Sequence, residues 1–412
     1  MEFIGCPPTM RLVKHTDSVL CCSIDSTSNY AISGGIDDMG YVWDLNECRV
    51  KFECDGHKDS VVSCGFSLKS TYAATADMKG LLQVWKIDSG HRVFDYEVDD
   101  INFILWHNHS DSVILAGTIT GDIYLWNIND STAFKCLKSQ GHAANTARLL
   151  SDGIRLVVGY ANGTIRIFDL KKSQQLICVN DCAESEVTSL DVNPTETLIA
   201  VGFINSHSKI INVNSGKIIG ELQCAAPEEL DKKPLNRQDN SDDVIDEYDD
   251  EQSPVDPSGE DVEVYEDLDE SVQDDDIDAD SGEASIEDDQ DEVEEVESVE
   301  TLAFSLCGNY LGTATVGGQI CIWDVPSRRA RRRVTLDAGI TTSFWNQSNH
   351  YIVAGLDGVL RIFDKNLEDI RRLKVCQGPI LDCFHTKDLV MIASDDYTCT
   401  AYKMDNLLQV GE

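Results

Sequence analysis

The sequence predicts an all-β fold, a β-propeller built from four-stranded blades. A unit of about 40–45 residues recurs along the chain. Each copy holds short runs of β-branched and aromatic residues parted by turns. Several copies open on Gly-His or His and close on Trp-Asp. The clearest copy is Gly56–Lys86, GHKDSVVSCGFSLKSTYAATADMKGLLQVWK. Its first run holds Val61, Val62, Cys64 and Phe66, and a turn follows at Leu68 to Ser70. A second run spans Tyr72 to Thr75, a second turn Asp77 to Gly80, and a third run ends at Val84-Trp85. Each run is too short for a helix and reads as a strand. Trp43, Trp85, Trp126, Phe168, Ile211, Trp323, Phe363 and Tyr402 hold the same place in successive copies, at steps of 42, 41, 42, 43, 112, 40 and 39 residues.

Taken in order, the first copy runs from His15 to Asp44 and the second is the one quoted. The third lacks Gly-His but keeps INFILW…VILAGTITGDIYLWN, to Asn127. The fourth restarts at Gly141-His142 and ends at Asp169. The fifth, EVTSLDVNPTETLIAVGFINSHSKIINVNSG, has neither Trp nor a tight Asp-Gly turn, yet keeps the strand spacing. The sixth ends at Asp324, the seventh at Asp364, and the eighth is GPILDCFHTKDLVMIASDDYTCTAYK. Eight copies predict eight blades, with seven the alternative if the fifth is absorbed. Met10 to Lys14 precedes the first copy and has no blade of its own. It is expected to complete the last blade, which ends near Lys403, and so to close the ring.

The long step marks an insertion. Asp239 to Glu297 holds 30 acidic residues and no Lys or Arg, while the rest of the chain carries 43 acids against 33 bases. Residues 1–222 and 298–412 are therefore assigned to the propeller, and 223–297 to an acidic insertion between blades five and six. Its like charges repel, and its few apolar residues cannot offset an ordering entropy of about 1–2 kcal/mol per residue, so it is expected to be disordered. Ser258, Ser271 and Ser285 each have an acid three residues on and are weak candidates for an acidophilic kinase.

The net charge of −40 argues against naked nucleic acid as partner and favours a basic protein. The 15 cysteines are scattered without a paired C-x-x-C, as in a reduced compartment. The start, MEFIGCPPTM, has no basic region followed by an apolar run, and no window of 18 apolar residues occurs. A cytoplasmic monomer is expected, with the nucleus or the cell periphery as the alternatives, and no membrane insertion.

No catalytic residue, metal or cofactor is assigned. His15, Ser33, Asp37 and Trp43, and again His57, Thr75, Asp77 and Trp85, resemble a hydrolase triad with an indole added. They recur by blade, however, and an enzyme needs one such set. Both are assigned to structural networks linking His, hydroxyl, Asp and indole N–H. His107 and His109 lack further ligands at metal spacing and are read as a turn. Arg328, Arg329, Arg331, Arg332 and Arg333 are read as edge-strand charges. A nuclear signal, an RNA patch or a dock for the acidic insertion are the alternatives.

In such a ring the blade-to-blade connections and the turns between second and third strands share one face. Asp17, Asp38, Asp59, Asp99, Asp100, Asp122, Glu184, Glu186, Asp337 and Asp395 fall there, with Lys58 and Lys79 the clearest bases. This face is the candidate partner site, steering a Lys/Arg-rich segment toward the central opening. Asp37, Asp357 and Asp396 are assigned to structure instead.

HTDSVLCCSID, GHKDSVVSCGFS, ATADMKGLLQVWKID, VVGYANGTIRIFDLK and SVETLAF resemble the WD40-repeat family. Within it they resemble a branch holding an animal protein of cell migration and, more distantly, a fungal ribosome-assembly chaperone. The likeness spans nearly all of the repeats and is tightest in the first four. It implies a non-enzymatic propeller. The chaperone relatives imply a client, the basic N-terminal segment of a newly made large-subunit ribosomal protein. The animal relative implies instead a multi-partner scaffold in migration and signalling. The family's acidic run tends to precede the first repeat, whereas here it follows the fifth.

Overall fold

The structure, a computed structural model, describes residues 4–5, 8–139, 141–180, 185–224 and 297–408. Consecutive antiparallel hairpins build eight sheets. In repeat one Val19–Ile24 pairs with Tyr30–Gly35, then Gly40–Asp44, then Arg49–Cys54. The repeats beginning at Val61–Phe66, Ile101–Trp106, Ala144–Leu149, Val187–Val192, Thr301–Phe304 and Ile340–Trp345 follow the same order. The degenerate fifth repeat forms a full sheet, Val187–Val192 through Ile218–Gln223, which decides for eight blades over seven.

The eighth sheet draws Ile380–His385, Leu389–Ser394 and Thr398–Lys403 from repeat eight, and its outer strand from the chain start. Met10 pairs with Ala401 and Val13 with Thr398, antiparallel. This sheet is the first that the chain enters with a blade strand. Numbered from it, the long insertion separates the sixth blade from the seventh. The expected placement between five and six counts from the repeat opening at His15 and takes the sheet closed by Met10–Val13 as the last blade rather than the first. Apart from its flanks the insertion, with its acids, its expected disorder and its serines, lies outside the described residues; Gln223 still belongs to an outer strand.

Burial grades outward. In repeat two the second and third strands, Tyr72–Asp77 and Leu81–Lys86, are almost wholly buried, while Arg92–Glu97 at the rim is mostly exposed. The core lies between blades. Ile32 and Val42 of repeat one pack with Ala73 and Trp85 of repeat two. Leu12 and Trp43 pack with Met391, Ala393 and Cys399 where the ring closes. Around the channel, polar side chains hold neighbouring inner strands together. Ser63 Oγ accepts the Ile104 N–H at 3.2 Å, Asp191 the Phe304 N–H at 2.8 Å, and Asp382 the Cys22 N–H at 2.9 Å. These strands share no ladder, so the side chains satisfy amides that would otherwise be orphaned.

Two elements have no counterpart in the repeat pattern. Ile4–Gly5 adds a short parallel strand to Asp369–Lys374. A helix at Met404–Leu408 buries Met404 and Leu407 and receives Arg371 Nη1 on the Asn406 and Leu407 carbonyls, each at 3.0 Å.

Leu12 is 1% exposed. Leu12→Ala is expected to lower the stability of the whole ring by about 2–5 kcal/mol, read from the midpoint of denaturant unfolding. Val13→Ala one position on, at 62% exposed, is expected to change stability by less than about 0.5 kcal/mol.

Candidate protein-binding face

In repeat one the four expected partners form a continuous relay. The Trp43 Nε1–H donates to Ser33 Oγ at 2.9 Å, and Ser33 Oγ lies 2.9 Å from His15 Nε2. His15 Nδ1 meets the Asp37 carboxylate at 2.9 and 3.0 Å. Burial pushes the His15 pKa down against the pull of Asp37, so the ring is neutral at pH 7. The neutral tautomer that fits donates from Nδ1 to Asp37 and accepts the Ser33 proton at Nε2.

Repeat two keeps two of the three links. His57 Nε2 lies 2.8 Å from Thr75 Oγ1, and His57 Nδ1 lies 3.2 Å from Asp77. Asp77 also accepts the N–H groups of Lys58 and Leu81, at 3.0 and 2.9 Å. Burial alone would raise the Asp77 pKa, but His57 and these amides outweigh it and hold the carboxyl below its ordinary range. The expected link to the Trp85 indole is absent: its Nε1 is buried without a hydrogen-bond partner. The ring is held by packing against Phe52 and by Arg92 5.9 Å above it. His15, Ser33 and Trp43, like His57, Thr75, Asp77 and Trp85, are buried, and both sets pin strands within a blade.

His107 and His109 cross to the next repeat, with Nε2 atoms 2.8 Å from the Gly153 carbonyl and 2.6 Å from that of Ser151. Among the described residues no group of three or more His, Cys, Asp or Glu is placed to hold a metal. Arg329, Arg331, Arg332 and Arg333 lie on the partly exposed outer strand Arg329–Thr335, and Arg328 lies in the turn before it. Arg331 lies over Tyr310 and Arg333 over Trp323, at 5.1 and 5.4 Å.

The strand order puts the acidic candidates at two kinds of loop on one face. Asp17, Asp59, Asp99, Asp100, Glu186 and Asp337 lie where an outer strand leads into the next inner strand. Asp38, Asp122 and Asp395 lie between second and third strands. Asp38, Asp99, Asp100, Asp337 and Asp395 are exposed, and Asp17, Asp59 and Glu186 are half-buried. Asp122 differs from these. It is buried, takes Lys138 Nζ at 2.5 Å and the Ser139 N–H at 2.8 Å, and so anchors a loop. Glu184 lies outside the described residues. Glu186 accepts Asn145 Nδ2 at 2.7 Å, and Asp395 accepts the Ser18 hydroxyl.

Lysines on this face are committed. Lys58 pairs with Glu97 at 2.6 Å, and Lys79 with Asp59 at 2.9 Å. The Lys79 bond, together with the Ser60 N–H, holds the Asp59 pKa below its ordinary range. Asp37, Asp357 and Asp396 are likewise committed. Asp357 takes Arg361 Nη1 at 3.0 Å, and Asp396 takes the Gln377 N–H at 2.9 Å. A net negative rim therefore remains: Asp38, Asp99, Asp100, Asp337 and Asp395 enter none of the ion pairs described.

The channel below is not acidic in the same way. A cavity of about 480 Å³ is lined by Leu20, Val62, Cys64, Phe103, Arg148 and Asp382, among others. Burial raises the Asp382 pKa despite the Cys22 and Cys383 amides that it accepts.

Eight blades closed by an N-terminal strand, with His–hydroxyl–Trp links inside a blade and the acids gathered on one face, define a WD40-repeat β-propeller. The WD domain, G-beta repeat model matches residues 6–44 and 47–86, and the Anaphase-promoting complex subunit 4 WD40 domain model matches 174–233. The chain is similar to human angio-associated migratory cell protein, 29% identical over 397 residues, spanning 94% of this chain and 78% of that protein. Its fold matches Sqt1 of Saccharomyces cerevisiae with a TM-score of 0.73 at 17% identity, covering 97% of this chain and 100% of the other. It also matches Chaetomium thermophilum Sqt1 bound to the N-terminus of the ribosomal protein L10, with a TM-score of 0.72 at 16% identity, covering 97% and 100%. At these identities the structural likeness is one of fold.

Two outcomes test the relays. Trp43→Phe is expected to destabilise by about 1 kcal/mol more than Trp85→Phe, because only the first removes an indole hydrogen bond; denaturant titration of both variants reads the difference. The pH dependence has a definite sign. The folded His15 pKa lies below the ordinary value of about 6.5, so the unfolded chain takes up a proton that the folded chain refuses. Stability should fall as pH drops through about 6.5 toward the lower folded value, and His15→Gln should flatten that part of the profile.

Proposed function

We propose that this chain is a non-enzymatic binding protein that holds a basic segment of a newly made large-subunit ribosomal protein on its acidic face during ribosome assembly. The observation that carries the reading is the rim of Asp38, Asp99, Asp100, Asp337 and Asp395, exposed while Lys58 and Lys79 are already paired. A client rich in Lys and Arg is prone to bind nucleic acid or aggregate before assembly. Carboxylates around one opening would mask that charge and speed encounter. The Sqt1 neighbour bound to the N-terminus of ribosomal protein L10 has the same fold and supports a client of this class. The cytoplasm, where such a protein is made, is the proposed compartment. The likeness to angio-associated migratory cell protein supports a second reading, a multi-partner scaffold in cell migration and signalling. Salt separates the two, since a charge-held client is released steeply and an apolar scaffold contact is not.

The probe is a synthetic N-terminal peptide of ribosomal protein L10, titrated calorimetrically. Affinity should fall at least about tenfold between roughly 50 and 500 mM salt. The triple variant Asp38→Asn, Asp100→Asn, Asp337→Asn should weaken it by a similar factor at low salt. Asn is chosen because Asp38 has φ +58°, a left-handed conformation that Asn tolerates. Undiminished affinity in the folded variant would contradict the reading.

A further inference from the structure

The face that carries the acids also carries a second, apolar set. Ile36, Met78, Ile119, Ile204, Val316 and Leu356 are each 39–52% exposed, although all are large and aliphatic. They are not scattered. Each precedes by the same interval the residue that closes its repeat: Ile36 before Trp43, Met78 before Trp85, Ile119 before Trp126, Ile204 before Ile211, Val316 before Trp323 and Leu356 before Phe363. Repeat four has the smaller Ala161 here, and repeat eight has Asp395.

One backbone hydrogen bond fixes all of them in the same way. The N–H of Ile36 donates to the Ser18 carbonyl at 2.9 Å, that of Met78 to Ser60 at 3.0 Å, and that of Ile119 to Asp100 at 2.9 Å. The N–H of Ile204 donates to Glu186 at 3.0 Å, that of Val316 to Ser298 at 3.0 Å, and that of Leu356 to Gly339 at 2.9 Å. The acceptor is always the loop leading into the inner strand of the same repeat. It is also the loop that carries the acid: Asp17 beside Ser18, Asp59 beside Ser60, Asp100 and Glu186 themselves, Glu297 beside Ser298, and Asp337 just before Gly339. In six blades a backbone hydrogen bond thus ties the turn that bears an exposed aliphatic residue to a loop that bears an acid.

No folding requirement explains this. Turn positions facing solvent take polar residues at no cost, and an exposed apolar set repeated around one face marks an interaction surface. The carboxylates beside it select the occupant and keep copies of the chain apart by like charge.

We propose, resting on the reading above, that the occupant is a Lys/Arg-rich peptide segment in which aliphatic or aromatic side chains are interspersed with the basic ones. Its apolar side chains seat on the ring of Ile36, Met78, Ile119, Ile204, Val316 and Leu356, and its cations meet the exposed acids of the adjoining loops, Asp100 and Asp337 among them. The apolar contact sets the affinity that survives salt, and the charges set capture.

Two synthetic peptides of equal length and charge test this with the full chain. One alternates Lys/Arg with Leu and Phe, and the other alternates them with Gly and Ser. The first should bind roughly ten- to a hundredfold more tightly, and the ratio should persist at high salt. Ile119→Ser, Ile204→Ser and Leu356→Ser together should reduce the ratio to near one. These side chains are solvent-facing, so the ring should remain folded. The control pair Val93→Ser and Leu176→Ser, on exposed outer strands, should leave the ratio as it was. Equal binding of the two peptides, or a ratio that survives the triple variant, overturns the proposal while leaving the charge-based reading intact. If neither peptide binds, both fall.

Discussion

The ring depends on a closure made by four residues. Met10–Val13 supplies the outer strand of the sheet whose other strands come from the far end of the chain. Without it, Thr398–Lys403 would be an open edge, and Leu12 would leave the cluster that joins the last repeat to the first. Every blade buries its faces against two neighbours, so an opening at one seam exposes core on both sides of it. The relay from Trp43 through Ser33 and His15 to Asp37 stands at this seam, in the same repeat whose Trp43 packs with Met391 and Ala393.

A closed ring also sorts its polar groups by face and depth. Inner-strand hydroxyls and carboxylates such as Ser63, Asp191 and Asp382 are used up in bonding the next strand's amides. Lysines near the acidic rim are used up in ion pairs. The groups left over share one side: exposed carboxylates, and next to them exposed aliphatic side chains held by a repeated backbone hydrogen bond. Charge gives such a surface range and apolar contact gives it hold, and the two suit one kind of client.

The fold was legible because its signals are local. Short β-branched runs, turns and the recurring aromatic that ends each third strand lie within a single repeat, so even the degenerate fifth copy could be placed by spacing. Ile4–Gly5 was not legible, since two residues carry no periodicity and their parallel pairing with Leu373 and Lys374 is made only in three dimensions. The site divides in the same way. Loop membership put most of the acids on one face from sequence alone. That Asp122 is buried under Lys138 could not be read, because that pairing depends on the register that sets Ile123 opposite Leu137 in one hairpin. Nor could the missing partner of Trp85, whose spacing from His57 and Thr75 matches that of Trp43 from His15 and Ser33. The apolar ring had a signal that went unused: the residue seven positions before each closing aromatic or its substitute.

Hydrogen–deuterium exchange of the full chain, with and without an N-terminal peptide of ribosomal protein L10, tests the central claim most directly. Binding on the acidic face predicts slowed exchange in the loops around Ser18, Ile36, Met78, Asp100, Ile119, Asp337 and Leu356, with outer strands such as Arg92–Glu97 and Gln174–Val179 unchanged. Protection confined to the outer strands, or to the opposite turns around His107 and His109, would contradict it.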